Sequence, residues 1–294
     1  MVNYKNGDKY RGNFKDGRAC GQGTMNYNYS LPSMGGGDYE QAEYKGQWKA
    51  GKREGYGTIT WTDGSQFKGL WKGDMRHEGE MYMQSGNIYI GSFQNDKMHG
   101  LGKLLLASGD IFEGNFDQDV VSSIGKILYP NGDIYFGQHK LFQREGCGKL
   151  ISFDGSVYEG FWEQGNKNGQ GRQVYENGDI YVGEYNDGKR SGRGRMYVAA
   201  KQEIYDGEWS NDRRQGEGTI LDASGMIASG DFRADQMEGK LQYQQTLTKE
   251  KTERVFSLII NQRDAFITVD GKGNGAVASQ QKPLSRPRTE LSMN

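Results

Sequence analysis

The chain has 294 residues, a formal net charge of −1, 46 glycines, 4 prolines and 2 cysteines. Near-neutral charge argues against a general nucleic-acid binder, and the longest apolar run, Val255 to Ile260 with Ser257 inside it, is far short of a membrane span. Glycine stands at about twice its usual share of roughly 7%, yet proline is scarce, which excludes a Pro-rich disordered chain.

Cys20 and Cys147 lie more than 120 residues apart, so a disulfide-free, intracellular setting is expected. No leader is expected, because Val2 to Phe14 already reads as repeat. A chain of this length has room for two globular domains, but a fixed period overrides that prior.

The period is a five-residue phrase: aromatic, any, Gly, any, aromatic. It reads Tyr44-Lys45-Gly46-Gln47-Trp48, Phe67-Lys68-Gly69-Leu70-Trp71, Tyr89-Ile90-Gly91-Ser92-Phe93 and Phe112-Glu113-Gly114-Asn115-Phe116. It continues as Tyr158-Glu159-Gly160-Phe161-Trp162, Tyr181-Val182-Gly183-Glu184-Tyr185 and Tyr205-Asp206-Gly207-Glu208-Trp209. With Tyr10 and Tyr135, the leading aromatics step by 34, 23, 22, 23, 23, 23, 23 and 24 residues. The long first step places a looped-out insertion near residues 28–38. The sixth copy is worn, with His139 where the second aromatic belongs, and so is a tenth, Ala228 to Phe232.

Counting the leading aromatic as position 0, each unit carries Gly-x-Gly at positions 11 and 13 and an aliphatic at 15, as in Gly55, Gly57 and Ile59. Asp63-Gly64, Ser85-Gly86, Asn131-Gly132, Asp154-Gly155 and Asn177-Gly178 are turn phrases between units. Side chains alternate along a strand, so positions 0, 2 and 4 share a face of one strand, and positions 11, 13 and 15 share a face of the next. Each unit is therefore predicted to be a β-hairpin, with the glycines leaving room for a neighbouring Tyr or Trp ring over the backbone. Positions 1, 3, 12 and 14 are mostly polar, as in Arg11, Asn13, Gln22 and Thr24, so the other face should be wet. The predicted fold is all-β: an elongated single-layer antiparallel sheet of tandem hairpins over residues 1–243, about 95 Å long at the usual strand spacing.

These phrases resemble MORN repeats, most fully in the unit from Tyr44 to Gly64, with Glu54 in place of the family's His. The resemblance covers roughly residues 3–240. It implies a hairpin ribbon without enzymatic activity or a cofactor. It also implies a scaffold or adaptor role, as in cilia, basal bodies, cell-division structures and membrane contact sites, with radial-spoke-like heads one setting. The expected partners are other proteins of a large ciliary or cytoskeletal assembly, a second copy of the chain, or an anionic membrane surface, and not nucleic acid. The expected location is the cytoplasm and cytoskeleton, with a cilium or flagellum axoneme foremost.

No pair of carboxylates is fixed by the period, and a one-layer sheet offers little water-poor space for acid–base chemistry. His99 falls beside Gly100 and His77 in the matching stretch, which reads as turn chemistry and not as a metal site. Gly-x-Gly is a strand element here, so a nucleotide-binding reading fails its context. Two surface features remain. Leu70, Ile90, Leu101, Phe136, Phe161 and Val182 are apolar residues on the nominally wet face and are candidates for partner binding. Lys189, Arg190, Arg193, Arg195, Arg213 and Arg214 form a basic patch suited to an acidic partner or lipid headgroup.

After Gly239 the period stops. Residues 244–270 are expected to cap the sheet's last edge or to dock a partner, with a short amphipathic helix starting after Thr248, though Val255 to Ile260 also suits a strand. Phe266 to Val269 suits a further strand. Residues 271–294 are polar and basic and are expected to be disordered alone, ordering along an acidic surface such as a microtubule lattice.

Overall fold

The computed structural model describes residues 1–31, 40–261, 268–269 and 275–276. The basic tail at 271–294 thus lies outside the described residues apart from 275–276. The chain divides into two compact units, Met1–Phe142 and Gln143–Asn294. The first contains β1 (Val2–Asn3), β2 (Lys9–Lys15), β3 (Arg18–Leu31), β4 (Glu40–Lys49), β5 (Lys52–Trp61), β6 (Gln66–Lys72), β7 (Met75–Tyr82), β8 (Ile88–Gln94), β9 (Lys97–Leu105), β10 (Ile111–Asp117), β11 (Val120–Leu128) and β12 (Ile134–Lys140). The second contains β13 (Gln143–Ile151), β14 (Val157–Glu163), β15 (Asn166–Val174), β16 (Ile180–Asn186), β17 (Lys189–Val198), β18 (Glu203–Ser210), β19 (Arg213–Leu221), β20 (Met226–Arg233), β21 (Gln236–Thr246) and α1 (Lys249–Ile260). Within each unit every strand pairs antiparallel with the next in sequence, so the chain is all-β, built of consecutive hairpins with a short helical extension. The expected insertion begins inside β3, where Tyr27 pairs with Ala42 and Leu31 with Glu40; residues 32–39 lie outside the described residues.

Turn chemistry sets the register. Inside a hairpin two residues link the strands, and both take positive φ, as at Ala50 (49°) and Gly51 (83°) or Asn95 (51°) and Asp96 (60°). That backbone twist matches the twist of paired strands. Between hairpins the Asp-Gly phrase turns the chain: the Gly64 amide donates to the Trp61 carbonyl (3.1 Å) and the Trp61 amide to the Ser65 carbonyl (3.0 Å).

The two glycines of Gly-x-Gly have different causes. The second faces the phrase glycine of the strand before it and that of the strand after it: Gly57 pairs with Gly46 and with Gly69, and Gly102 with Gly91 and with Gly114. A Cβ on Gly57 would lie 2.2 Å from the Tyr44 hydroxyl, and one on Gly46 would lie 2.4 Å from the Gly57 Cα. The first glycine sits at a bulge, where the register slips between the phrase glycine and the following aromatic. Gly55 (φ 83°), Gly100 (φ 73°) and Gly169 (φ 62°) hold the left-handed backbone that the bulge requires. The sequence reading assigned ring space to both glycines; the structure gives that role to the second alone.

The ring over each glycine pair is the unit's own leading aromatic, not one from the adjoining hairpin as the sequence reading supposed. Tyr44 lies over Gly46 of its own strand and Gly57 of the next. Its hydroxyl donates to the Gln47 carbonyl (3.0 Å), and Tyr89, Tyr158, Tyr181 and Tyr205 repeat this bond at 3.0 Å. The second aromatic of the phrase joins the units. Trp71 meets Phe67 of its own unit (5.3 Å, 86°) and Tyr44 of the preceding one (5.3 Å, 86°) edge to face. Its indole N–H donates to the Gly57 carbonyl (3.1 Å), and Trp48, Trp162 and Trp209 do the same to Gly23, Gly148 and Gly194. Each edge-to-face contact stabilises by about 0.5–1.5 kcal/mol beyond its buried area.

Tyr44, Phe67, Tyr89 and Phe112 are thereby 0% exposed without a second layer over them.

α1 lies on the opposite face of the second unit. Thr248 caps it, its hydroxyl accepting from the Lys251 amide. Ile259 is buried with Ile180, Ile204 and Leu221, and Val255 and Phe256 pack against the same cluster. Thr268–Val269 and Gly275–Ala276 pair as a short separate ladder; Phe266 and Ile267 lie outside the described residues.

Two predictions follow from these roles. Gly100 has nothing within 4 Å of an added Cβ, whereas Gly102 would place one 2.5 Å from the Tyr89 ring. Asn tolerates a left-handed backbone, so Gly100→Asn should shift the urea midpoint little, while Gly102→Asn should cost about 1–3 kcal/mol or more. Equal losses would contradict the division of roles. His139 takes the second aromatic's place, packs edge to face on Phe112 at 4.9 Å and accepts from the Phe142 amide through Nδ1 (3.3 Å). Burial pushes its pKa below the usual 6.5. The unfolded chain then takes up a proton that the buried ring refuses, so stability falls as pH drops beneath 6.5. His139→Phe should flatten that slope in urea melts between pH 7 and 5; an unchanged slope would count against a neutral, buried imidazole.

Candidate functional site

Because the aromatic face is closed, the opposite face is the one open to partners. In the first unit it forms a trough of about 1210 Å³. Gly23, Gly46, Gly57, Gly69 and Gly79 make its floor, and Arg11, Lys45, Lys68, Tyr56, Leu70, Glu78, Glu80 and Ile90 line its sides. Small residues on the floor follow from the ring packing on the far side, so the same glycines that admit the rings leave bare backbone here. A second recess of about 480 Å³ adjoins, lined by Ile90, Leu101, Lys103 and Glu113. Glu113 accepts from Lys103 (2.8 Å) and Lys126 (3.0 Å), and these bonds hold its carboxyl below the usual carboxylate range.

The structure brings Leu70, Ile90 and Leu101 together in the first unit, with Leu101 80% exposed. Phe136 stands exposed on β12 of the same unit. Phe161 and Val182 belong to the second unit and are half-buried, Val182 against the cluster that α1 closes. Sequence reasoning missed Tyr56, which is 72% exposed at the position Leu101 occupies in its own unit. The signal was present, an apolar residue at position 12.

The basic patch divides in two. Arg190 and Arg214 sit at position 9, on the aromatic side. The Arg190 guanidinium lies 4.4 Å over the Trp209 ring and pairs with Asp212 (3.2 Å); that of Arg214 lies over Tyr205 and Phe232 and faces Asp235 (3.6 Å). Arg53 with Asp74 and Arg76 with Asp96 repeat the arrangement in the first unit, the aspartate also accepting from the arginine's own amide (2.8 Å in both). Lys167 takes this place in another hairpin, 4.8 Å over Tyr158 and donating to Gln173, and burial pushes it down to about 8. Arg195, on the other face, pairs with Asp206. Lys189, Arg193 and Arg213 remain exposed.

Among the described residues no group of His, Cys, Asp and Glu is placed to hold a metal ion, and no helix is long and apolar enough to cross a membrane. His99 Nδ1 lies 3.2 Å from the Asp117 carboxylate, and His77 is exposed on β7.

The family model of the MORN repeat matches residues 10–28, 44–66, 89–111, 158–180, 181–197 and 205–227. The chain is a MORN-repeat protein. Among the unmatched copies, those beginning at Phe67 and Phe112 form the same hairpins, with Phe67 and Phe112 in the leading ring's place. The MORN repeat is a non-enzymatic repeat family associated with protein interaction and membrane association. Alsin of Rattus norvegicus and Alsin of Homo sapiens are each 28% identical over 103 residues, 33% of this chain and 6% of theirs. The chain thus spans only a small part of the curated relatives it matches. Among solved structures, the TCP domain of SAS-4 from Drosophila melanogaster, in complex with a proline-rich motif of Ana2, is 14% identical. That match covers 60% of this chain and 90% of that one, with a TM-score of 0.34.

The two kinds of cation should behave differently. Arg190→Met should lower stability by about 1 kcal/mol by removing the ring contact and ion pair, and Arg193→Met should stay within about 0.5 kcal/mol of the parent. Equal effects in urea melts would refute the structural role of Arg190.

Proposed function

We propose that this MORN-repeat protein is a non-enzymatic scaffold that holds partner polypeptides on the second face of its hairpin sheet, in a cilium, axoneme or other microtubule-based assembly of the cytoplasm. The observation that carries the reading is the division of faces. One face is sealed by its own rings, and the other presents a glycine-floored trough with exposed Tyr56 and Ile90 on its walls. A shallow, open trough suits side chains of another protein better than a small substrate, because it does not exclude water. Exposed apolar residues grouped on one face are the usual mark of a partner surface.

The second reading is a tether at an anionic lipid surface. Three of its six cations, Arg190, Arg195 and Arg214, already face aspartates. Lys189, Arg193 and Arg213 remain to meet headgroups, which places this reading behind the first.

Imaging of a tagged copy separates the two. The scaffold reading expects signal along axonemes or other microtubule structures, lost when Tyr56, Leu70 and Ile90 are all changed to Asp, in a chain whose near-UV circular dichroism is unaltered. Plasma-membrane signal that survives those changes and is lost with Lys189, Arg193 and Arg213 replaced by Glu would overturn it in favour of the tether.

A further inference from the structure

The second face carries an apolar feature beyond the trough. Each hairpin has one residue just before the leading aromatic and one at position 16, and both point to the second face. In the second unit these are Val174, Ile180, Tyr197, Ile204, Leu221 and Ile227, consecutive partners across β15 to β20. All six belong to the cluster that α1 closes, with Ile259 at its centre and the Phe256 ring 5.7 Å from that of Tyr197. The row continues past the helix's footprint: Val174 pairs with Val157, and Val157 with Ile151.

The first unit has the same row. Tyr82, Ile88, Leu105, Ile111, Leu128 and Ile134 are consecutive cross-strand partners over β7 to β12. There the isoleucines are half-buried, whereas Ile180 and Ile204 under α1 are 5% and 3% exposed. The difference is the missing cover, because neighbouring residues of the repeat are otherwise alike.

We infer that this row in the first unit seats an amphipathic helix supplied by a partner polypeptide, laid across the strands as α1 is laid across the second unit. The inference rests on the scaffold reading and names the partner's chemistry. Six strands at the usual spacing run about 24 Å, which a helix of about 16 residues covers. The occupant needs aliphatic residues at i, i+3, i+4 and i+7 to fill the row. Charge flanks the row toward the glycine stripe, where Lys103 and Lys126 share the single carboxylate of Glu113. Asp110 and Asp133, two residues before their leading aromatics, fall on the aromatic side by the strand alternation and accept from Ser108 and Asn131 within their own turns. The complementary helix is therefore acidic along the flank facing the lysines.

The probe is a labelled peptide of about 16 residues with leucine in that pattern, Glu on the flank facing the lysines and neutral polar residues on the other. A scrambled peptide of equal composition is the control. Titrated into the full chain, the patterned peptide should bind saturably and the scrambled one should not. Ile111→Ser and Leu128→Ser should each weaken binding about tenfold or more, the loss expected for one buried aliphatic contact, while near-UV circular dichroism shows the aromatic face intact. No binding, equal binding of the scrambled peptide, or binding unchanged in both variants overturns the inference. Concentration-dependent dimerisation or sedimentation with anionic vesicles that Ile111→Ser abolishes overturns it too, naming a second copy or a membrane as the occupant. None of these outcomes touches Tyr56, Leu70 or Ile90, so the scaffold reading stands or falls separately on its own variants.

Discussion

Everything in this molecule depends on an aromatic ring lying flat over a pair of facing glycines. The ring needs the absence of two Cβ atoms, one on its own strand and one on the next, and that need recurs in the hairpins led by Tyr10, Tyr44, Phe67, Tyr89, Phe112, Tyr158, Tyr181 and Tyr205. The requirement is mutual. Glycine is costly in a strand unless something packs against it, and a tyrosine ring in a single layer would be wet unless the backbone closed one side. The bulge completes the arrangement, because it frees the carbonyl that the tyrosine hydroxyl reaches. Phe67 and Phe112 keep the ring without the hydroxyl, so the packing, and not the hydrogen bond, is the indispensable part.

Closing one face this way determines what the other can do. The rings, the arginine or lysine stacked on them and the position 15 aliphatics form a core one side chain thick, with the second aromatic of a repeat packed on the ring of the previous one, as Trp71 on Tyr44, Phe93 on Phe67, Phe116 on Tyr89 and Trp209 on Tyr181. The opposite face is left as backbone, short polar side chains and two apolar features, the trough walls and the aliphatic row. Neither is needed for the hairpins to form, which leaves both free to be used for recognition. α1 is the molecule's own demonstration that a helix can lie on that face.

Much of the fold was legible because its determinants are local and repeated. The phrase from Tyr44 to Trp48 gives strand, face and partner glycine at once, and the Asp-Gly turns give the register. What was not legible was the identity of the ring over each glycine. Position alone cannot tell a ring that folds along its own strand from one that reaches in from the adjoining hairpin. The two glycines of Gly-x-Gly also look alike in sequence, and only the backbone shows that Gly100 serves a bulge while Gly102 serves a ring. The candidate site was legible in part. Leu70, Ile90 and Leu101 were found as apolar breaks in a polar pattern, whereas Tyr56 and the row from Tyr82 to Ile134 were overlooked at their own register positions. Arg190 and Arg214 read as surface charge because a run of basic residues conceals that alternate members face opposite sides.

The most direct measurement of the central claim is the chemical shift of the glycine α-protons. Protons lying under an aromatic face are displaced to high field by its ring current. The account predicts high-field α-proton signals for Gly91 and Gly102 that return toward ordinary values in Tyr89→Leu, with Gly100 unaffected. Ordinary shifts for Gly91 and Gly102 in the intact chain, or shifts indifferent to the loss of the Tyr89 ring, would contradict it.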